Sequence, residues 1–247
     1  MEVTRTKRDL CRLCEEKNLE LVVPLEPTPV AEKYLTKNQL NQKEIICPLD
    51  LYMCKSCGHV QLLDIIDPKF LYSDYTYSSG NSSGLVKHFK EYADNIVNKY
   101  KPKEGSLVVD VGSNDGTLLS FFKKNKLKVL GIDPAKEIAE KATSKGIKTL
   151  AEFMNLELSA KIKSEYGLAQ IVTANNAFAH MDDLIEMLKS IRTLMLPDGI
   201  FVFEISYLLD VIQKVLLGTI FHEHHSYHSL KPLVKFMKRY DMEIIDV

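Results

Sequence analysis

The second half of the chain alternates between short apolar runs and amphipathic stretches, and no other feature constrains the fold as strongly. The amphipathic stretches have helical periodicity; in "MDDLIEMLKSIRTLM", Ile185, Leu188 and Ile191 share one face. Alternating strands and helices pack as a parallel sheet, so this rhythm predicts an α/β, Rossmann-like fold with helices on both sides of the sheet. The predicted strands are 107–111, 128–133, 170–175, 200–206 (buried on both faces) and 242–247, and the last helix spans 231–240.

The first of these strands runs into the glycine-containing loop "VDVGSNDGTLL". Gly112 allows the backbone to turn sharply, and Gly116 allows the next helix to begin close to the sheet. A dinucleotide-binding loop has a glycine where this chain has Asn114, so the approach of a pyrophosphate is hindered. Asp110 also disfavours an anionic cofactor. These residues favour a cationic cofactor without phosphate, such as S-adenosylmethionine.

A second cofactor signal is Asp133, which ends the second strand about 20 positions beyond Gly112. An acidic residue at this offset accepts hydrogen bonds from ribose hydroxyls. Because Pro134 follows, Asp133 could instead cap the next helix, and the two roles can coexist. The loop and this carboxylate together favour a class I methyltransferase over a dehydrogenase.

Four of the five cysteines form two C-x-x-C pairs. Two such pairs supply four thiolates, which suits a closed tetrahedral Zn²⁺ site, while coincidental pairs or a redox dithiol are the alternatives. The paired residues are Cys11, Cys14, Cys54 and Cys57. Gly58 suits the turn after the second pair, and Cys47 remains as a small buried or idle residue.

Composition divides the chain into three predicted segments. A tyrosine-rich stretch, "FLYSDYTYSSGNSSG" at 70–84, is predicted to be a loop, although rings such as Tyr75 exceed what a linker needs. The helix that follows is predicted to end at Lys101 and Pro102. The segments are a zinc-binding module (1–70), a tyrosine-rich loop with a connecting helix (71–104) and an S-adenosylmethionine-binding methyltransferase domain (105–247).

The charge balance argues against two classes of partner. The formal net charge is −1, so the basic surface of a nucleic-acid-binding protein is not expected. No apolar run approaches 18 residues, which predicts no membrane span, and no secretory signal is evident. We expect a cytoplasmic protein with a small-molecule substrate.

The stretch "GTIFHEHHSYHSL", residues 218–230, contains four of the seven histidines. A zincin motif would need histidine where Ser226 stands, although His224 and His228 have the spacing of two ligands on a helix. Ser229 and Pro232 predict the start of the next helix, which places the run in the preceding loop.

Two further interpretations of this histidine run remain. Surface histidines that cap the following helix are one interpretation, and it fits His222, His225 and His228. For Glu223 and His224, a catalytic pair is favoured over a metal site.

Six motifs in this order resemble the sugar C-methyltransferases: "CRLC", "PLDLYMCKSCGHVQL", "YTYSSGNSSGLVKHF", "VVDVGSNDGTLL", "ANNAFAH" and "IFHEHHSYHSL". The resemblance covers essentially the whole chain. It implies a class I methyltransferase that uses S-adenosylmethionine to methylate a ring carbon of a nucleotide-activated keto-deoxysugar. The four paired cysteines match the family's zinc ligands, and we expect this zinc to be structural because four thiolates leave no open position for chemistry.

The resemblance also implies roles for individual residues. Glu223 and His224 match the family's catalytic pair, and Tyr75 and His180 match polar residues that face the sugar. The matching cofactor-binding residues are Gly112, Asn114, Gly116, Asp133, Asn175 and Asn176, to which the loop argument adds Asp110. One departure is Phe221, where many members have tyrosine.

Members of that family continue for a further domain of comparable size, whereas this chain stops at Val247. The segment 242–247 is expected to be the sixth strand of the sheet, with no seventh strand beside it. We therefore expect the C-terminal family domain to be missing because of a truncation, a split gene or a shortened member. A partner chain could supply it.

The expected reaction is base-catalysed. His224 would remove a proton beside the ketone, Glu223 would orient and polarise it, and Tyr75 would stabilise the enolate oxygen. Two other classes remain: a non-catalytic module that binds S-adenosylmethionine and zinc, and a methyltransferase of other specificity that acts on protein, RNA or another small molecule.

Overall fold

The structure is a computed structural model that describes residues 5–31, 33–72 and 75–247. These residues form two compact units. The first comprises Met1–Leu71, Ala179–Ile185 and Ile205–Val247, and the second comprises Tyr72–Phe178 and Glu186–Glu204. The predicted three-segment division stays a prediction. The units divide the chain differently because two later stretches belong with the cysteine-rich start.

The described residues contain thirteen strands and eight α-helices. The strands are β1 (Arg5–Lys7), β2 (Leu19–Val23), β3 (Thr28–Pro29), β4 (Ile46–Cys47), β5 (Leu51–Cys54), β6 (Val60–Leu62), β7 (Asp64–Ile66), β8 (Leu107–Val111), β9 (Lys128–Ile132), β10 (Thr149–Leu150), β11 (Ala169–Thr173), β12 (Met195–Val202) and β13 (Ser226–Tyr227). The helices are α1 (Pro68–Tyr72), α2 (Ser83–Tyr100), α3 (Thr117–Lys124), α4 (Lys136–Ser144), α5 (Leu156–Tyr166), α6 (Leu184–Leu194), α7 (Leu208–Gln213) and α8 (Leu230–Lys238). No described helix combines the length and the apolar character that a membrane span requires.

The first unit is built on a four-stranded antiparallel sheet in the order β13-β6-β5-β2. In this sheet Gln61 is paired with Ser226 on one side and with Tyr52 on the other. Its small core contains Leu49, Leu51, Val60, Leu62 and Tyr227. The histidine-rich stretch therefore enters the sheet of the cysteine-rich region through β13.

The end of the chain differs from the prediction. Helix α8 begins after Ser229 and has Pro232 in its first turn, as predicted. Residues 242–247 form no strand, so the prediction of a sixth strand there is wrong. The apolar residues Ile245 and Val247 of that segment are 67% and 92% exposed.

The second unit contains a five-stranded parallel sheet in the order β10-β9-β8-β11-β12. Every residue of the central strand β8 is buried. Helices α2 and α3 pack with it through a core that includes Phe89, Phe122 and Val108. The α/β prediction is confirmed, including four of its strands. The strand predicted at 200–206 instead spans Met195–Val202 and is only half-buried because it lies at the edge of the sheet.

The tyrosine-rich stretch is more ordered than predicted. Helix α1 covers its beginning and a 3₁₀ turn spans Ser79–Asn81, while residues 73–74 lie outside the described residues. Helix α2 ends where predicted, because Lys101 takes a left-handed conformation at φ 46° and Pro102 follows.

Candidate active site

The loop between β8 and α3 needs its glycines for two reasons. Both Gly112 and Gly116 have φ of +76°, which favours residues without a Cβ. A Cβ on Gly112 would lie 2.6 Å from the Cβ of Ala177, and one on Gly116 would lie 2.8 Å from Ile147 Cγ2. The loop therefore passes close to its neighbours, as the sequence predicted.

Asp133 lies immediately after β9 and is almost completely buried. Its two oxygens accept hydrogen bonds from the backbone N–H groups of Asn114 (2.8 Å) and Ala135 (2.9 Å). Burial raises the pKa of this carboxyl, although both hydrogen bonds act to lower it. The N-cap position of helix α4 is Ala135, and the Asp133 side chain accepts from its N–H, so Asp133 supports the start of this helix from two residues before it. Each oxygen keeps a lone pair for a ligand hydroxyl.

Asp110 lies on β8, directly beside Thr173 of β11. Its carboxylate is buried and accepts a 2.6 Å hydrogen bond from Thr173 Oγ1. Burial raises the pKa of Asp110 to about 7, against the lowering effect of that hydrogen bond. This carboxyl therefore changes charge near neutral pH.

Asn175 and Asn176 follow β11. The Tyr92 hydroxyl donates to Asn175 Oδ1 at 3.0 Å, which leaves the buried Nδ2 as a donor with no hydrogen-bond partner in the described part of the chain. Asn176 has φ of 52°, and its backbone N–H donates to the Glu204 carbonyl at 2.8 Å. A buried donor without a partner fits a site that holds a ligand acceptor.

The side chain of Asn114 forms hydrogen bonds to the backbone of the tyrosine-rich stretch. Its Nδ2 donates to the Tyr77 carbonyl at 3.0 Å, and its Oδ1 accepts from the Ser79 N–H at 2.9 Å. This contact explains why asparagine occupies a position where a dinucleotide loop has glycine.

Sequence reasoning missed Asp115. This buried carboxylate accepts hydrogen bonds from Ser78 Oγ (2.6 Å) and the Gly80 N–H (3.0 Å). It also accepts from Thr117 Oγ1 at 2.6 Å. Burial acts to raise the pKa of Asp115, but the hydrogen bonds outweigh it and lower the pKa. The only sequence signal is an aspartate beside a helix start, because the other partners lie 35 and 37 residues away.

Tyr75 belongs to the same stretch. It is half-buried, and its ring lies 5.5 Å from the ring of Tyr72 in an edge-on arrangement.

The four paired cysteines come together as a possible metal site. Their sulfur atoms all lie within 4.8 Å of one another, with Cys11 and Cys57 3.6 Å apart and Cys14 and Cys54 3.5 Å apart. A tetrahedral site with Zn–S bonds of about 2.3 Å needs sulfur atoms about 3.8 Å apart. All four are free thiols, so the geometry and the donor set fit zinc.

The two cysteine turns share one backbone geometry. The Gly58 N–H donates to the Cys54 carbonyl at 2.7 Å, and Gly58 has φ of 86°. The Glu15 N–H donates to the Cys11 carbonyl at 2.9 Å, and Glu15 has φ of 62°. The glycine was predicted for this turn, whereas Glu15 adopts the same left-handed conformation without being glycine.

His224 is held in a loop, as predicted. Its Nδ1 lies 2.7 Å from the Thr219 carbonyl, so Nδ1 carries the proton and Nε2 carries the lone pair. The ring lies between Phe221 and His180, at centroid distances of 3.9 and 4.9 Å. Burial lowers the pKa of His224, and the hydrogen bond to Thr219 only partly offsets this.

Glu223 is buried with 3% of its side chain exposed, and its carboxylate lies 3.9 Å from His180 Nδ1. Burial and the nearby histidines 224 and 225 lower the pKa of His180 to about 3. The structure thus brings His180, Glu223 and His224 together. The group that orients the His224 ring is the Thr219 carbonyl.

The interpretation of the other three histidines as surface residues is wrong. His222, His225 and His228 are all buried, because β13 carries this stretch into the sheet. His222 Nε2 donates to the Cys47 carbonyl at 3.2 Å, and the ring of His228 lies 5.2 Å from that of His59. The prediction that Cys47 is a small buried residue is confirmed.

The parallel sheet and its glycine loop define a class I methyltransferase fold, which binds S-adenosylmethionine. A family model described as "Methyltransferase domain" matches residues 86–247, and one described as "Putative zinc binding domain" matches residues 11–72. The chain therefore belongs to the methyltransferase domain family.

Similar proteins agree with this membership. C-methyltransferase NovU of Streptomyces niveus is 32% identical over 239 residues, which are 97% of this chain and 57% of that protein. The plantazolicin methyltransferase BpumL, in complex with a monoazolic desmethylPZN analog and SAH, superposes with a TM-score of 0.50 at 13% identity over 62% of each chain. The chain thus spans about three fifths of the length of these relatives.

Proposed function

We propose that this chain is an S-adenosylmethionine-dependent C-methyltransferase acting on a ring carbon of a nucleotide-linked keto-deoxysugar. The similarity to C-methyltransferase NovU supports transfer to carbon. The observation that carries the proposal is His224, whose Nδ1 is fixed by the Thr219 carbonyl so that Nε2 is a neutral base. Methylation of carbon needs such a base, because a C–H bond must first be ionised.

The cofactor is assigned to the loop and the strand ends of the second unit. Bound S-adenosylmethionine supplies an electrophilic methyl group on a sulfonium. Asp133 would accept hydrogen bonds from the ribose hydroxyls, and Asn175 Nδ2, which has no hydrogen-bond partner in the described residues, would donate to a cofactor oxygen. Gly112 and Gly116 give the close backbone approach, and Asn176 and Asp110 border the same strand ends.

The base step belongs to the histidine loop of the first unit. Nε2 of His224 takes a proton from the carbon beside the ketone, and the electron pair of that C–H bond moves onto the ketone oxygen as an enolate. Tyr75 donates to that oxygen, and His180 contacts the sugar. The enolate carbon would then be the nucleophile for the methyl group that bound S-adenosylmethionine would supply. The Glu223 carboxylate, which lies 3.9 Å from His180 Nδ1, offsets the positive charge that develops on His224.

The test separates proton removal from methyl transfer. The protein is incubated in D₂O with a panel of nucleotide-linked keto-deoxysugars without cofactor, and loss of the signal of the ring proton beside the ketone is followed by NMR. We expect exchange with the wild type and a loss of about 100-fold or more in His224→Gln. His88→Gln, an exposed histidine in α2, is the control and should exchange normally. Normal exchange in His224→Gln would overturn the assignment.

A second candidate follows from the coverage of the relatives, since the chain spans 57% of NovU. The chain would then be a module that binds S-adenosylmethionine and zinc and needs a partner chain to hold the sugar. Calorimetry with SAH and with the nucleotide-sugar panel distinguishes the two. Binding of SAH without binding of any sugar, restored by a co-expressed partner, supports the second candidate.

A further inference from the structure

Arg12 lies inside the first C-x-x-C pair, and its side chain is completely buried. A buried guanidinium is costly unless several acceptors surround it. Its carboxylate partner is Asp182, whose Oδ1 lies 3.0 Å from Nη2. Its partners therefore matter to the structure of the first unit.

Three acceptors from separate segments surround this guanidinium. Nε and Nη2 lie 3.1 and 3.0 Å from Asp182 Oδ1. Nη1 donates to the carbonyl of Leu62 on β6 and, at 3.3 Å, to the carbonyl of His225. The Leu62 N–H donates to the same His225 carbonyl at 3.0 Å. The planar guanidinium thus ties the cysteine turn to three other backbone segments.

Two of these segments carry the proposed catalytic groups. Asp182 follows His180 by two residues, and His225 follows His224 directly. The side chains of His180 and His224 contact each other, since their ring centroids lie 4.9 Å apart. The guanidinium contacts neither ring, so any effect on catalysis passes through the backbone that carries them.

We propose that Arg12 is a positioning residue, which fixes the backbone of the His180 loop and of the His224 loop in one arrangement. This inference rests on the proposed function for the roles of the two histidines. The backbone of Arg12 is held by β6, because the Arg12 N–H donates to Gln61 Oε1 at 2.9 Å. The zinc-binding turn therefore reaches the catalytic loop through one side chain.

Arg8 offers a matched control for the charge. Its guanidinium also contacts Asp182, at Oδ1 (3.2 Å) and at the backbone carbonyl (3.3 Å), but its side chain is 20% exposed and its Nε donates to the Leu10 carbonyl rather than to Leu62 or His225. Arg8→Met removes a cation beside the same carboxylate without releasing the His225 carbonyl. Arg12→Lys keeps the charge but cannot reach three acceptors in the same plane.

The experiment measures Arg12→Lys, Arg12→Met and Arg8→Met as zinc-loaded proteins. We expect Arg12→Lys to keep its zinc and its affinity for SAH within about twofold while kcat for proton exchange falls about 10- to 100-fold and KM changes little, because small displacements of a base are costly. Amide hydrogen exchange should rise in peptides 178–184 and 219–228 and not in β5, 51–54. Arg8→Met releases the Asp182 carbonyl, so its exchange should rise in 178–184 alone, while 219–228 matches the wild type.

Two results would overturn the inference. One is a kcat and amide exchange in Arg12→Lys like those of the wild type. The other is a loss of zinc together with loss of protection in β5, 51–54, in both Arg12 variants, which would make Arg12 a general folding residue. If the wild type exchanges no sugar proton, the proposed function fails, while the amide-exchange pattern still decides whether Arg12 orders the two loops.

Discussion

His224 titrates below the usual range of histidine because its ring is largely removed from water. A lowered pKa means that the neutral, proton-accepting form persists to lower pH than it does in free imidazole. We expect the acid limb of the rate of proton exchange to have its midpoint below the reference histidine pKa of about 6.5. The measurement is the rate of proton exchange in D₂O from about pH 5 to about pH 8, which is the range in which histidine usually titrates. A midpoint above the reference value would contradict the burial argument.

Asp133 gives a prediction for cofactor affinity. Asp133→Asn keeps the shape and one acceptor oxygen but removes the charge and replaces the other oxygen with a donor. We expect binding of SAH to weaken about tenfold or more, since hydrogen bonds to charged groups are worth about 1.5–3 kcal/mol. Isothermal titration calorimetry measures this, with Glu137→Gln, an exposed acid in the first turn of α4, as the control. Equal affinity in the two variants would remove Asp133 from the cofactor site.

Residues whose roles are local were predictable, and residues whose partners are distant were not. The turn at Gly112 and the metal-binding role of the cysteine pairs were predicted from residues only a few positions away in the sequence. The partner of Asp115 lies more than 30 residues off, and the partner of His224 Nδ1 is a backbone carbonyl, which no side-chain pattern encodes. Orientation within the proposed site therefore required the structure.

At the scale of elements, the Ser78–Gly80 segment is fastened to the loop that starts α3. Asp115→Ala would leave the Ser78 hydroxyl and the Gly80 N–H without their acceptor. We expect a loss of about 2–4 kcal/mol in the free energy of unfolding, because several buried donors become unsatisfied. Urea unfolding followed by circular dichroism measures it, and Asp198→Ala, at an exposed position of β12, should cost less than about 0.5 kcal/mol. A small loss in Asp115→Ala would show that water replaces the carboxylate.

Strand prediction succeeded in the centre of the parallel sheet and failed at its margins. Strands β8 and β11 are apolar because they are buried among neighbours. The edge strand β12 begins at Met195, through a Pro-Asp-Gly sequence typical of a turn, and β13 is only two residues long. Pairing at an edge depends on tertiary contacts more than on composition. The prediction of a strand at 242–247 failed for the same reason, since an apolar segment forms a strand only where a partner strand is available.

For the whole molecule, the four thiols predict that metal and folding are coupled in the first unit. Cys14→Ser should lower bound zinc well below one equivalent, because one of four ligands is lost, and should destabilise the four-stranded sheet. Zinc content by atomic absorption and thermal unfolding check this. The matched control is Cys47→Ser, a buried cysteine outside the cluster, which should keep its zinc. Full zinc content in Cys14→Ser would contradict the four-thiolate site.

Strand β13 also determines how long the four-stranded sheet stays incomplete during synthesis of the chain. It pairs with β6, and its Ser226 Oγ lies 3.2 Å from His59, 167 residues earlier in the chain. At a translation rate of about 5–20 residues per second, the outer edge of β6 waits roughly 10–30 s for its partner. During that interval its N–H and C=O groups are open to any strand or chaperone that reaches them. The four-stranded sheet is therefore completed long after its strand β6 has been made.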